Sequence, residues 1–373
     1  AARRPSLVMA ISTTTKTGFE LANRKYPQHR VFYCPLDFSW AVEEALRRLR
    51  PQALVLAELE LWPNLIRAAH RRGVRVAIVN GRLSDRSFRG YLSAGRLLAR
   101  TLSKIDLIAA QDQTPASRFR QWGARADAIC VAGSLKFEGA DSDRENRRTF
   151  ELSRLAGIDP QDRIFLAGST QAPEDEYSID VYKQLSSRRP ALRLILVPRH
   201  PERFNEVAEL LRNSSLRWLR RSELDHAPTM TAAEGQPWQA LLVDVVGELA
   251  AWWGAASVGF VGGSFGRRGG QNMLEPAAYG VPVCFGPNTR NFRDIVRQLH
   301  ASDAAETVHT KQELTQFVAR CLDDPAWAAQ IGERAARLVA SQQGATVATV
   351  DALESLLPEG ERVATETLTS HAA

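Results

Sequence analysis

The sequence predicts an α/β protein built from two doubly wound domains. Short apolar runs alternate with longer segments of helical character, the pattern of a parallel sheet with covering helices. The alternation pauses once, over the polar and charged stretch Phe137–Arg148, and then resumes. At about 150 residues per domain, 373 residues correspond to roughly two domains. The 44% hydrophobic and 24% charged content is that of an ordinary globular chain, which excludes a collagen, a coiled coil and a long disordered tract. No stretch reaches about 18 apolar residues without a charge, which excludes a polytopic membrane protein.

The first half opens with a strand expected at Leu7–Ile11, running into a polar loop through Gly18 and a helix over Gly18–Lys25. Strands then follow at Val31–Tyr33, Ala53–Ala57, Val74–Asn80, Leu107–Ala110 and Ile129–Ala132. Helices fill Ala41–Leu49, Pro63–Arg72, Gly90–Leu102 and Pro115–Trp122 between them. After the linker at 137–148 come strands at Ile164–Ala167, Arg193–Val197, Ala240–Val243, Val258–Val261 and Val281–Phe285, again interleaved with helices. The domains are therefore expected at 1–140 and 150–357. The apolar run after Arg3 and Arg4 is too short for a signal-peptide core, and a fold that starts abruptly on a core strand is expected to lack elements upstream.

Four cysteines, Cys34, Cys130, Cys284 and Cys321, are widely separated and form no CxxC pair, which points away from zinc knuckles and disulfide frameworks and toward a reduced, cytoplasmic setting. The net charge of +6 is uneven. Residues 1–140 hold 23 Lys and Arg against 11 Asp and Glu, and the remainder holds 25 against 31. A half at +12 joined to a half at −6 suits an anionic partner for the first domain: nucleic acid, a phosphorylated small molecule or an anionic membrane. A solvated basic surface is the plainer alternative.

Parallel sheets bind ligands at the carboxyl ends of their strands. Five polar loops of the second domain fall there: Gly168-Ser169-Thr170, Pro198–Arg203, Asp244–Glu248, Gly262–Pro276 and Gly286–Asn288. Gly269 and Gly270 precede a helix predicted from Asn272, whose start would attract phosphate, with Glu275 placed either to accept from a ribose diol or to cap. The spacing does not fit GxxxxGK[ST], so a P-loop hydrolase is disfavoured. Arg199 could clamp a phosphate or mark a surface turn. Gly168, Ser169 and Thr170 could bind phosphate or merely cap a helix near Pro173. Glu58 and Glu60, two apart at the end of a strand, are expected to share a face and to form a carboxylate pair for acid–base or orienting work, or else an acid-rich helix start. Lys136 falls at the hinge, where a lone lysine is usually solvated. Asp141-Ser142-Asp143 is formally a DxD, but it lies in the linker rather than after a strand, so no catalytic metal is expected. Between Asp85 and Asp106 there is no acid, and Arg86, Arg89, Arg96, Arg100 and Lys104 interleave with apolar residues. This basic amphipathic segment would face a membrane surface or a phosphorylated lipid, or simply pack one face on the core.

Together these motifs resemble the Kdo transferases of lipopolysaccharide synthesis, which move 3-deoxy-D-manno-octulosonic acid (Kdo) from its CMP conjugate to the lipid A precursor. The resemblance covers about Leu7–Ala340. It is carried by STTTKTG (12–18), ELELWPN (58–64), NGRLSDRS (80–87), GSLKF (133–137), GST (168–170), PRHPERF (198–204), DVVGEL (244–249), GGSF (262–265), GGQNMLEPAAYG (269–280) and GPNTRNF (286–292), in the family's order. It implies two Rossmann-like domains in a GT-B arrangement with an inter-domain cleft, acceptor in the first and CMP in the second. It implies an inverting transfer without metal or cofactor, no nucleic-acid partner, and action at the cytoplasmic face of the bacterial inner membrane as a peripheral protein.

By the same resemblance, the CMP site comprises Pro198, Arg199, Val246, Gly247, Glu248, Asn272, Met273, Leu274 and Glu275. From their places at strand ends, not from the resemblance, Gly168, Ser169, Thr170, Gly262, Gly263 and Ser264 are candidates for further phosphate or sugar contacts. By the resemblance, Glu58 and Lys136 match transition-state stabilisers, while the basic amphipathic segment itself makes Arg86, Arg89, Arg96 and Arg100 acceptor-binding candidates. The sequence departs from the family pattern at Leu59, where threonine is common, and at Gln271, where histidine is frequent. The family's Ser-Val-Gly-Glu segment, whose glutamate is the base, does not occur in these residues. The chain is therefore expected to lack the base and one strand–helix unit, and to bind CMP while transferring poorly. A GT-B enzyme for another nucleotide sugar and a non-catalytic CMP-binding remnant are the alternatives.

Overall fold

The computed structural model describes residues 3, 5, 7–83, 95–225 and 237–357. The chain divides into two units, one of residues 1–138 with 344–373 and one of residues 139–343. All strand pairings in both are parallel, as the alternation of strands and helices predicts.

In the first unit the expected parallel sheet is in two pieces. β1 (Ala10–Thr13) pairs with β2 (Arg30–Tyr33), and β3 (Ala53–Ala57), β4 (Arg75–Gly81), β5 (Leu107–Ala110) and β6 (Ile129–Val131) form a separate four-stranded sheet in that order. β1 lies three residues beyond the expected start at Leu7, because its register is set by the ladder from Ala10↔Arg30 to Thr13↔Tyr33. The strand runs almost to Thr15, whose hydroxyl accepts from Gly18 N at 3.1 Å and caps the helix Lys16–Lys25. The core of this unit lies under β3–β5, where Ile66, Val76, Ile78, Ile108 and Phe119 are fully buried. Of the helix expected over 90–102, residues 90–94 lie outside the described residues and Gly95–Leu102 is helical, with Leu102 buried and Leu98 against the core.

The linker is shorter than the expected 137–148. Phe137 is buried in the first unit, and a helix already starts at Arg147. The second domain likewise does not run to 357: the helix Ala345–Glu354 belongs to the first unit, where Thr346 N donates to Glu138 Oε1 at 3.2 Å.

The second unit carries a seven-stranded sheet ordered β13-β12-β11-β7-β8-β10-β9. Its strands are β7 (Arg163–Thr170), β8 (Leu192–Pro198), β9 (Trp218–Arg220), β10 (Ala240–Leu242), β11 (Val258–Val261), β12 (Val283–Phe285) and β13 (Glu306–Thr307). β7 and β8 are buried along nearly their whole length, as central strands covered on both faces must be. Strand order reverses at β7, flanked by β8 and β11, so the loops after these three strands share the rim where doubly wound sheets bind ligands.

Candidate functional site

On the rim of the second unit, β8 ends at Pro198 and the chain turns so that Arg199 N donates to Thr170 O at 3.1 Å. The Arg199 side chain is exposed and makes no hydrogen bond or ion pair with the described residues. Nearby, Asn272 Nδ2 donates to Glu275 Oε1 at 2.9 Å while Asn272 Oδ1 accepts from Leu274 N at 3.1 Å. Burial pushes the Glu275 carboxyl up, and the Asn272 hydrogen bond and the charge of Arg199 pull it back. The structure thus brings Arg199, Asn272 and Glu275 into one electrostatic neighbourhood. Met273 and Leu274 bury their side chains and present only backbone. The helix that follows is short, Leu274–Ala278 only, with Pro276 inside it. The strong helix-start field expected for phosphate is therefore absent, and Arg199 and Asn272 are the polar side chains beside this turn.

Several other expected contacts have different work. Gly168, Ser169 and Thr170 are the buried end of β7 and not a loop. A Cβ at Gly168 would stand 2.5 Å from Trp253, so this glycine serves packing. The Thr170 hydroxyl donates to Asp175 Oδ1 at 2.5 Å. The amides of Gly263 and Ser264 donate at 2.7 and 2.8 Å to the buried carboxylate of Glu174. Glu248 is likewise buried: Arg221 donates to both its oxygens at 2.8 Å and Arg148 to one at 2.6 Å. Its side chain is an ion-pair anchor, and only the turn before it, Val246 and Gly247, is open to a ligand.

In the first unit, Glu58 follows β3 with φ at 58°, which breaks the extended geometry that would align it with Glu60. Glu58 pairs with Arg82 at 2.9 Å, whereas Glu60 accepts from Trp62 Nε1 at 2.9 Å, so the expected carboxylate pair is not formed. Lys136 is exposed in a 3₁₀ turn, Leu135–Phe137, that Asn80 Oδ1 holds by accepting from Leu135 N at 3.2 Å. Asn80 and Arg82 join the motifs NGRL and GSLKF to Glu58 on one rim, a function no spacing in the sequence reveals. Arg100 is exposed, Arg96 lies on the same helix, and Arg86 and Arg89 fall outside the described residues. Asp141 and Asp143 accept from the backbone amides of Asp143 and Glu145 at 3.0 and 2.9 Å, the geometry of a linker turn.

Further along the rim of the second unit, Arg267, Arg290 and Arg293 line a cavity of about 330 Å³ together with Gly269, Pro287, Asn288 and Thr289. No acid lies among these residues, so the cavity is electropositive.

A family model described as 3-deoxy-D-manno-octulosonic-acid transferase (kdotransferase) matches residues 1–139. The 3-deoxy-D-manno-octulosonic acid transferase of Haemophilus influenzae is 33% identical over 358 residues, which cover 95% of this chain and 81% of that protein. That of Bordetella pertussis is 35% identical over 363 residues, covering 94% and 81%. The chain belongs to the Kdo transferase family. Among solved structures, the UDP-GlcNAc 2-epimerase from Neisseria meningitidis bound to UDP-GlcNAc aligns with a TM-score of 0.57 at 10% identity, covering 93% of this chain and 91% of that one. Anabaena HepE in complex with UDP aligns with a TM-score of 0.54 at 16% identity, with the same coverage. At these identities the likeness is one of fold: the Rossmann-like pair of GT-B glycosyltransferases and epimerases. In this chain Arg199, Asn272 and Glu275 lie together on one rim, and Glu58, Arg82 and the Lys136 turn on another.

Proposed function

We propose that the chain transfers Kdo from CMP-Kdo to the lipid A precursor, by an inverting and metal-independent route, as a peripheral protein at the cytoplasmic face of the bacterial inner membrane. Arg199 carries this reading: an exposed guanidinium without a side-chain partner among the described residues, within the field of the half-buried Glu275. Arg199 takes the phosphate of CMP, whose charge grows as the sugar–phosphate bond breaks, and a fixed cation there stabilises the leaving group. Glu275, oriented by Asn272, accepts from the ribose hydroxyls. The backbone of Met273 and Leu274 and the Val246–Gly247 turn complete the nucleotide contacts, and the cavity lined by Arg267, Arg290 and Arg293 suits the carboxylate of the sugar acid. Glu58 and Lys136 act as transition-state stabilisers, with Arg82 holding Glu58. The +12 charge of residues 1–140 suits a phosphorylated lipid acceptor.

Isothermal titration with CMP, UMP and UDP tests the donor assignment. CMP is expected to bind most tightly and Arg199→Ala to lose that binding selectively; tighter binding of UDP would make this a different nucleotide-sugar enzyme. Turnover of CMP-Kdo with lipid IVA in EDTA tests the transfer and its independence of metal.

A further inference from the structure

The helix Glu174–Ser186 opens with three acids, Glu174, Asp175 and Glu176, and the first two are buried although neither belongs to the proposed nucleotide contacts. Glu174 Oε1 accepts from the amides of Ser264 at 2.8 Å and Phe265 at 2.9 Å. Its Oε2 accepts from Gly263 at 2.7 Å and from Gln171 at 2.9 Å. Three successive amides converging on one anion form a concavity of the kind that binds phosphate in other proteins. Here a carboxylate of the chain itself fills it. Gly262 is shaped to the same end. A Cβ there would come within 2.8 Å of Glu174 Oε2 and 2.7 Å of Ser169 O. The loop so held passes its position on, since Gly263 O accepts from Gly270 N at 2.8 Å and Ser264 O accepts from Asn288 N at 2.9 Å.

Asp175 does the same for the neighbouring loop. It accepts from Thr170 Oγ1 and pairs with Arg203 at 2.8 Å, and Thr170 O accepts from Arg199 N. Adjacent carboxylates therefore reach the two loops that carry Arg199 and lead to Asn272. An apolar side chain of equal volume would fill the space beneath the loop but leave four amides without acceptors.

We propose that Glu174 is a positioning residue of the donor site, an internal anion that occupies the Gly262–Phe265 concavity and holds it in shape, so that the donor phosphate is directed to Arg199. The inference rests on the nucleotide assignment made above. Glu174 touches neither substrate nor reacting atoms, so its effect is felt through the loop.

The test uses the whole chain and CMP in isothermal titration, with Glu174→Gln and Glu174→Ala. Gln keeps the shape but turns an NH₂ toward amide donors. Ala opens a hole that a formate ion fits. CMP affinity is expected to fall about tenfold or more in both variants, and added formate is expected to restore it in Glu174→Ala but not in Glu174→Gln. A purely structural role would lower the melting temperature without formate-dependent recovery of binding. Either that outcome or wild-type CMP affinity in Glu174→Gln overturns the proposal. Failure of the wild-type chain to bind CMP overturns the nucleotide assignment itself, and this inference with it.

Discussion

In the proposed site Arg199 and Glu275 both serve CMP binding, and Glu275 does so at a cost in stability. Removing Arg199 costs a charge-assisted hydrogen bond, so Arg199→Ala is expected to weaken CMP binding by about 1.5–3 kcal/mol; calorimetry reads this directly. Burial raises the Glu275 carboxyl above its ordinary value of 4.5. The folded chain thus holds that proton more tightly than the unfolded chain. The stability this contributes is complete below the ordinary value and is lost as pH rises through the raised one. Above the raised value the charged carboxylate is a stability cost, which the proposed contact with the ribose would offset. Glu275→Gln is therefore expected to raise the melting temperature near neutrality, to lose that advantage below about pH 4.5, and to weaken CMP binding; paired melting and titration series check all three. Gly168 is constrained by packing alone. A methyl there meets Trp253, and Gly168→Ala is expected to cost about 1–3 kcal/mol in urea unfolding.

The elements themselves were largely legible, because a period of two or of 3.6 is a property of adjacent residues. The strands expected at Ala53–Ala57 and Leu107–Ala110 are found at those bounds. What periodicity missed is how elements end. The helix Pro63–Arg71 has no side-chain cap from its own N-cap residue, Trp62. Asp37, far earlier in the chain, supplies it, accepting from Asn64 N at 3.0 Å and Leu65 N at 2.9 Å. Asp37→Ala is expected to cost about 0.5–2 kcal/mol, read as a shift in denaturation midpoint with unchanged slope. The GST motif was misplaced for a related reason. Its residues are polar and turn-forming, yet the sheet extends through them, with a bulge at Ser169, because β8 continues to pair as far as Pro198.

At the scale of the whole molecule, each unit has its own buried core and the proposed nucleotide residues all lie in the second. CMP should therefore raise the melting transition of the second unit in a dose-dependent way. Hydrogen exchange with and without CMP assigns the protected segments, and protection centred on β3–β6 would contradict the assignment. Acceptor binding by the basic half should weaken with salt, since exposed charges are screened beyond about 10 Å at 0.1 M. Arg96→Glu with Arg100→Glu should weaken sedimentation with anionic vesicles while sparing CMP affinity. Indifference to both would leave the helix Gly95–Leu102 as a core-packing element with a solvated face.

By itself the sequence determined the α/β class, most of the run of strands and helices, the family, and four of the five strand-end loops of the second domain. Each of these follows from local periodicity or from contiguous motifs. Only the tertiary structure decided which polar groups at those loops remain available. Glu248 reads like a ligand contact until Arg221 and Arg148 close on it. Gly263 and Ser264 read like a phosphate cradle until Glu174, about ninety positions away, fills it. Glu58 and Glu60 read like a pair until a left-handed φ turns them to different partners. A buried polar group must find a partner, and its partner is chosen by folding across long sequence separations, so which residues stay free for a substrate is settled only once the chain has paired the rest.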